Sequence, residues 1–291
     1  MCRPIPPGAC RRRSERRRPN AGRPPVPDAT DTAFARPRPP TMTLETLFDL
    51  PRRTDPALQQ RVQHRLDHLT KPLGALGRLE ALALQVALLQ GRSHPALEAP
   101  QMLVCAADHG LAAHGVSAYP AEVTAQMVAN FLAGGAAVSV LARRFGLALT
   151  VADCGVRGRF APQPGYVDLK TGLGLEGGTA DMLQGPAMSA AQCEAALRAG
   201  ADLVDRLPGN VLLLGEMGIG NTSAAALLMA RLTGRPVAEC TGRGTGLDEP
   251  GLARKRAVLE AVAARHAGLT QPLDWLAAMG GAELAVMAGA T

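Results

Sequence analysis

The sequence predicts an α/β protein, a parallel sheet covered by helices on both faces, with a smaller helical section ahead of it. Three observations carry this. Short apolar runs at residues 102–107, 147–152 and 211–214 alternate with longer stretches of helical periodicity, the pattern of strands joined by crossover helices. Glycine-rich turns occupy residues 215–222 and 241–248, the first directly after a run. An acid closes each run, Asp108, Asp153 or Glu216, which places three carboxylates at the edge where such sheets bind ligands.

Taken in order, residues 1–41 are rich in Arg and Pro and hold ten Arg against three acids, a net of +7. They bury too little apolar surface to offset the entropy of ordering and read as a disordered tail. Either they form a basic arm or an early start codon precedes Met42. Residues 42–98 read as a helical small domain: Leu58, Val62, Leu66 and Leu69 recur at helical spacing, and Leu76, Leu79, Leu82, Leu84 and Leu88 mark a second helix. The turn between them, Lys71-Pro72-Leu73-Gly74, reads as a helix entry packed closely around Gly74 and Gly77. Residues 99–291 form the α/β nucleotide-binding domain. Helices are expected at 121–132, 135–145, 189–206, 222–233, 251–266 and 275–290, with a fourth strand at 236–240.

Composition narrows the function. The chain has 291 residues, 47% apolar and 3% aromatic, and a formal charge of +6. With +7 in the first 41 residues, the body sums to −1, so no basic stripe and few stacking aromatics favour nucleic acid. No uninterrupted apolar run approaches the roughly 18–20 residues of a membrane span, and no signal pattern opens the chain. Six cysteines (Cys2, Cys10, Cys105, Cys154, Cys193, Cys240) show no CxxC or Cys/His ligand spacing. They read as buried reduced thiols of a cytoplasmic protein without structural zinc.

Four segments hold the candidate chemistry. In 215–222 (GEMGIGNT) the glycines admit a ligand to the backbone, and the helix that follows offers free N–H groups, with Asn221 or Thr222 as its cap. Glu216 repels phosphate and should face a neutral or cationic part of the ligand. The turn is neither a P-loop nor a dinucleotide fingerprint. In 241–248 (TGRGTGLD) three alternating glycines expose donors ahead of a helix bearing Lys255, one of three lysines in the chain. Asp108, His109 and His114 admit a metal reading, but an Asx-type turn with a partly buried histidine is preferred. The segment at 71–80 (KPLGALGRLE) is the fourth.

Together and in this order, these segments resemble the nicotinate-nucleotide–dimethylbenzimidazole phosphoribosyltransferase family, from about residue 44 to 291. The resemblance takes in KPLGALGRLE at 71–80, ADHG at 107–110, GVSAYPAEVT at 115–124, GPAM at 185–188, the two glycine-rich turns and GGAEL at 280–284. It implies a Rossmann-like large domain with a smaller helical one, a homodimer, and no metal or organic cofactor. It implies transfer of phosphoribose from nicotinate mononucleotide to 5,6-dimethylbenzimidazole, giving α-ribazole 5′-phosphate and nicotinate with inversion at the anomeric carbon. By motif position Glu216, Met217 and Gly218 line the reaction centre. Gly244 and Thr245 contact the nucleotide, Lys255 its phosphate, and Tyr119, Gln126 and Met127 border the base pocket. Tyr119 stands where relatives can carry a smaller residue.

The family's general base is a glutamate in a Ser-Ala-Glu type segment downstream of the Gly-Gly-x-Glu run, and this chain stops at Thr291. The expectation is a truncated or frameshifted product, with Glu216 as a supporting carboxylate and binding safer than turnover. The alternatives are a non-catalytic nucleotide-binding relative, a phosphoribosyltransferase for another base, and nucleic-acid binding by the Arg-rich arm.

Overall fold

The computed structural model describes residues 55–291. The tail expected over 1–41, and the start of the helical small domain expected from residue 42, lie outside the described residues.

Among the described residues the sheet has four parallel strands, β1 (Gln101–Ala107), β2 (Ala148–Gly155), β3 (Tyr166–Asp168) and β4 (Leu212–Met217), in the order β3-β2-β1-β4. The chain builds β1, β2 and β3 outward in one direction, then crosses back to lay β4 on the far side of β1. That reversal is a topological switch point, and it opens a crevice at the carboxyl ends of β1 and β4. β1 lies inside the sheet, and all but Met102 of it is buried, which accounts for its continuous apolar character. Register puts Ala106 beside Asp153 and Cys105 beside Glu216. The three strand-end acids therefore share one edge.

Alternation on β1 separates two apolar layers. Leu103, Cys105 and Ala107 face α6 (Ala190–Arg206) and α11 (Ala282–Gly289), packing on Leu197, Ala285 and Val286. Val104 and Ala106 share a second layer with Val128, Phe131 and Ala136, from α3 (Val123–Leu132) and the entry to α4 (Ala137–Phe145). Residues 123–145 are apolar and long enough, at 23 residues, to cross a membrane by composition alone. They form two helices parted by a left-handed turn at Gly134 (φ +80°), and their apolar side covers the sheet. The described cysteines, Cys105, Cys154, Cys193 and Cys240, are free and buried.

The two longest helices described start where side chains satisfy their first N–H groups. Ser189 and Gln192 form a reciprocal capping box on α6. Asp248 Oδ1 accepts from Gly251 N–H at 2.8 Å to open α9 (Glu249–Arg265). A third apolar cluster joins Leu227 of α7 (Asn221–Thr233), Leu259 and Val262 of α9 and Met279 of α10 (Pro272–Met279) to Leu111 and Met182. Upstream, α1 (Pro56–Asp67) packs on α2 (Arg78–Gln90) through Leu58, Val62 and Ala87.

Several expectations need correction. Residues 236–240 are not a strand: Pro236 starts a one-turn helix, α8 (Val237–Cys240), and so short an apolar run carries no period to tell the two apart. The helix expected over 275–290 is two helices, because Gly280 and Gly281 break it where Gly281 packs against His109 and Glu283. The three-residue β3 and the short α5 (Lys170–Leu173) leave no periodic signal. Gly74 and Gly77 are not closely packed: each has open space around it and a positive φ (+70° and +55°). Lys71 nearby pairs with Glu80 at 2.8 Å.

Two glycines let α6 and α11 pack closely: Gly200 lies against the Val286 carbonyl and Gly289 against the Leu197 carbonyl. A methyl at either would overlap backbone, which cannot swing aside. Gly200→Ala is expected to destabilise by about 1–3 kcal/mol, despite a gain of about 1 kcal/mol in helix propensity. Urea unfolding checks this, and an unchanged or raised midpoint would show that the helices separate freely.

Candidate active site

The crevice at the switch point is built from three chain segments. β4 delivers Glu216, Met217 and Gly218. The chain after β1 delivers Asp108 and His109. Glu283 reaches in from the first turn of α11. His109 Nε2 and Glu283 Oε1 are 3.0 Å apart, and both side chains are closed to solvent. The imidazole packs against the turn after β4. A Cβ on Gly218 would meet the Ala107 carbonyl and sit 3.2 Å from His109 Nε2, and one on Gly220 would sit 3.2 Å from His109 Cβ. Glycine is therefore required at 218 for close approach. Ile219 N–H donates to the buried Thr124 Oγ1 at 3.0 Å, tying the turn to α3.

Glu216 itself remains exposed, at the open edge of β4. Asn221 Nδ2 donates to its Oε2. Partial burial and the charge of Glu283 hold the Glu216 carboxyl above the usual glutamate value, and His109 opposes them. For His109 burial disfavours the charge, but Glu283, Asp108 and Glu216 outweigh it and hold the imidazole above its usual value.

The second glycine-rich turn meets the first at Thr222. Lys255 on α9 is 1% exposed, and its Nζ donates to Thr222 Oγ1 at 2.8 Å. A Cβ on Gly244 would lie 3.4 Å from that ammonium and 3.2 Å from Thr222 Oγ1, so a side chain there would cover both. Among the described residues Lys255 makes this one hydrogen bond and no ion pair, and burial pulls its pKa below the usual lysine value. Lys170, also buried, shows the contrast. Its three donors go to Asp153 Oδ2, the Val156 carbonyl and the Gly158 carbonyl, each at 2.7 Å, and Tyr166 OH also donates to Asp153 at 2.9 Å. Lys170 is a satisfied structural ion. Lys255 keeps two donors in hand beside an N-terminal helix turn whose N-cap is Gly220, without a side-chain cap bond. That is the arrangement of an anion site.

The structure thus brings Glu216, Met217, Gly218, Gly244 and Lys255 into one neighbourhood. Thr245 joins it through Ser117, whose hydroxyl lies 3.5 Å from Thr245 Oγ1. Tyr119, two residues on, is 53% exposed. Gln126 is exposed on α3, while Met127 and Met217 both lie against the apolar layer under α3. Neither Asn221 nor Thr222 caps α7, since their side chains go to Glu216 and Lys255. The three strand-end acids separate by environment. Asp153 is neutralised by Lys170, Asp108 Oδ2 accepts from Arg157 N–H at 2.8 Å, and Glu216 stays open. Asp108, His109 and His114 do not converge, because His114 turns to Asp181 at 2.9 Å. Glu283 was missing from the candidate residues, although an acid in the first turn of a helix as apolar as 282–290 is the signal that marks it.

A phosphoribosyltransferase family model matches residues 52–291. The chain is 63% identical over 236 residues to the nicotinate-nucleotide–dimethylbenzimidazole phosphoribosyltransferase of Variovorax paradoxus, covering 81% of this chain and 66% of that protein. The chain belongs to this phosphoribosyltransferase family. A relative of the same name from Cupriavidus taiwanensis is 56% identical, with 81% and 68% covered. Among solved structures, CobT from Thermus thermophilus superposes with a TM-score of 0.75 at 46% identity, over 81% of this chain and 70% of that one. The chain spans about two thirds of the length of the curated relatives it matches. The matched region, residues 52–291, takes in this chain's sheet, both glycine-rich turns and the His109–Glu283 pair.

Proposed function

We propose that the chain transfers the phosphoribosyl group of nicotinate mononucleotide to 5,6-dimethylbenzimidazole, giving α-ribazole 5′-phosphate and nicotinate, the lower-ligand step of cobalamin synthesis. The observation that carries this reading is Lys255, a buried ammonium with one protein partner, under Gly244 and beside the start of α7. The 5′-phosphate would take its free donors and those of the backbone. The ribose would then lie toward Gly218, with C1′ near Glu216.

In the reaction the azole nitrogen attacks C1′ from the face opposite nicotinate, the C1′–N bond breaks, and its electron pair returns to the nicotinate ring. Glu216, ionised, offsets the positive charge that gathers at C1′. The proton lost from the second azole nitrogen goes to a general base, the role that the resemblance gives to a glutamate downstream of the Gly-Gly-x-Glu run and outside the 291 residues given. Met127 and Met217 offer an apolar wall for the base, bordered by Tyr119 and Gln126, and Thr245 adds a nucleotide contact. A homodimer and a cytoplasmic location belong to the same proposal.

The test is to mix the purified chain with nicotinate mononucleotide and dimethylbenzimidazole and follow α-ribazole phosphate, with adenine and other azoles in parallel. Product formation with benzimidazoles supports the reading. Turnover of adenine but no benzimidazole would overturn it, and tight nucleotide binding without nicotinate release would point to a non-catalytic relative.

A further inference from the structure

The His109–Glu283 pair is costly for a purely structural contact. Both side chains are closed to solvent, and apolar residues of similar volume would fill the space without desolvating charge. Among the described residues, three buried polar atoms, His109 Nδ1 and Glu283 Oε2 of the pair and Asp108 Oδ1 beside it, have no hydrogen-bond partner. The Asp153–Lys170 pair in the same sheet shows how completely a structural ion pair is satisfied here.

Its position supplies a purpose. The imidazole is held between Gly218 and Gly220 on one side and Gly281 on the other, where a Cβ on Gly281 would meet His109 Cε1 and both Glu283 oxygens. The pair joins α11 to the turn that carries Glu216. We propose that His109 and Glu283 are positioning residues for Glu216: the ring braces the 218–220 turn, and the opposed charges of the pair balance the field at the Glu216 carboxylate. The groups facing His109 are Glu283 from α11, Asp108 from its own segment and Glu216 from β4. Those acting on Glu216 are Glu283 and His109, with the neutral Asn221 amide from α7. The Cys154 thiol on β2 also lies in the field of Glu283 and is held neutral, first by burial.

The inference rests on Glu216 facing the reaction centre, and it is tested without reading turnover. Label the chain with ¹³C at the glutamate carboxyls, assign Glu216 through E216Q, and titrate by NMR. E283Q removes a negative charge and is expected to shift the Glu216 titration to lower pH. H109Q removes the balancing positive charge and is expected to shift it to higher pH. A brace with no electrostatic role would not give opposite signs, so shifts in one direction, or no shift in both, overturn the proposal. Should a variant fail to fold, the unmodified chain decides: the His109 Cε1 resonance is expected to show an inflection at the pH where Glu216 titrates, and its absence overturns the proposal. Loss of nucleotide binding would count against the proposed reaction and leave this titration readable.

Discussion

Replacing Lys255 by Met is expected to weaken nicotinate mononucleotide binding by about 100-fold, or about 2.7 kcal/mol, without destabilising the protein. The two parts together are diagnostic. A charge-assisted contact to phosphate accounts for the loss of affinity. Stability moves the other way because the free chain buries an ammonium with one partner, and removing an under-compensated buried ion is neutral or stabilising. The sign with pH follows. Burial lowers the folded pKa below the usual lysine value, so over the window between the two the unfolded chain binds more protons. Stability therefore rises as pH rises toward 10.5, and Lys255→Met should lose that rise. Calorimetric titration and melting curves across pH check both parts. Unchanged affinity would remove Lys255 from the site, and a large drop in melting temperature would make it a structural ion.

Glu216→Gln is expected to reduce turnover by about 100-fold or more while nucleotide affinity changes by less than about threefold. In the proposed reaction the carboxylate acts on charge that develops at C1′, whereas Lys255 holds the phosphate. Partial burial and Glu283 hold the Glu216 carboxyl above the usual glutamate value. The acid limb of the rate profile should therefore lie above that value in the unmodified chain and vanish in Glu216→Gln. The linked stability has the opposite sense. The protonated form is favoured by the fold, so this contribution is present at low pH and is lost as pH rises from 4.5 through the raised pKa. Rate profiles from about pH 4 to 9 test this, and equal losses in affinity and turnover would mean that Glu216 only helps to bind.

These expectations draw unevenly on sequence and structure. The strands at 102–107, 147–152 and 211–214 and most of the helices were legible because each carries a local period or an apolar run bounded by turn residues. Glu216 and Gly218 were legible for the same reason, as a glycine-rich turn between a run and a helix. The 236–240 segment hides its helix because so few residues around a proline hold no period. The apolar stretch over 275–290 looks like one helix in sequence because its break answers to His109, in a distant part of the chain.

By itself the sequence determined the parallel α/β pattern, the two glycine-rich turns and the acids that end the strands, all of which depend on neighbours a few residues apart. Only the tertiary structure decided what each charged group is for. Lys170 and Lys255 are alike as sequence. Folding surrounds one with three oxygens and leaves the other one hydrogen bond. Asp108, Asp153 and Glu216 are alike as strand-end acids, and folding leaves only Glu216 open among the three. His109 meets Glu283 only when α11 packs under the switch point. The physical reason is common to all of them. A local pattern records which residues an element buries, but the cost of a buried charge depends on partners that arrive from distant segments.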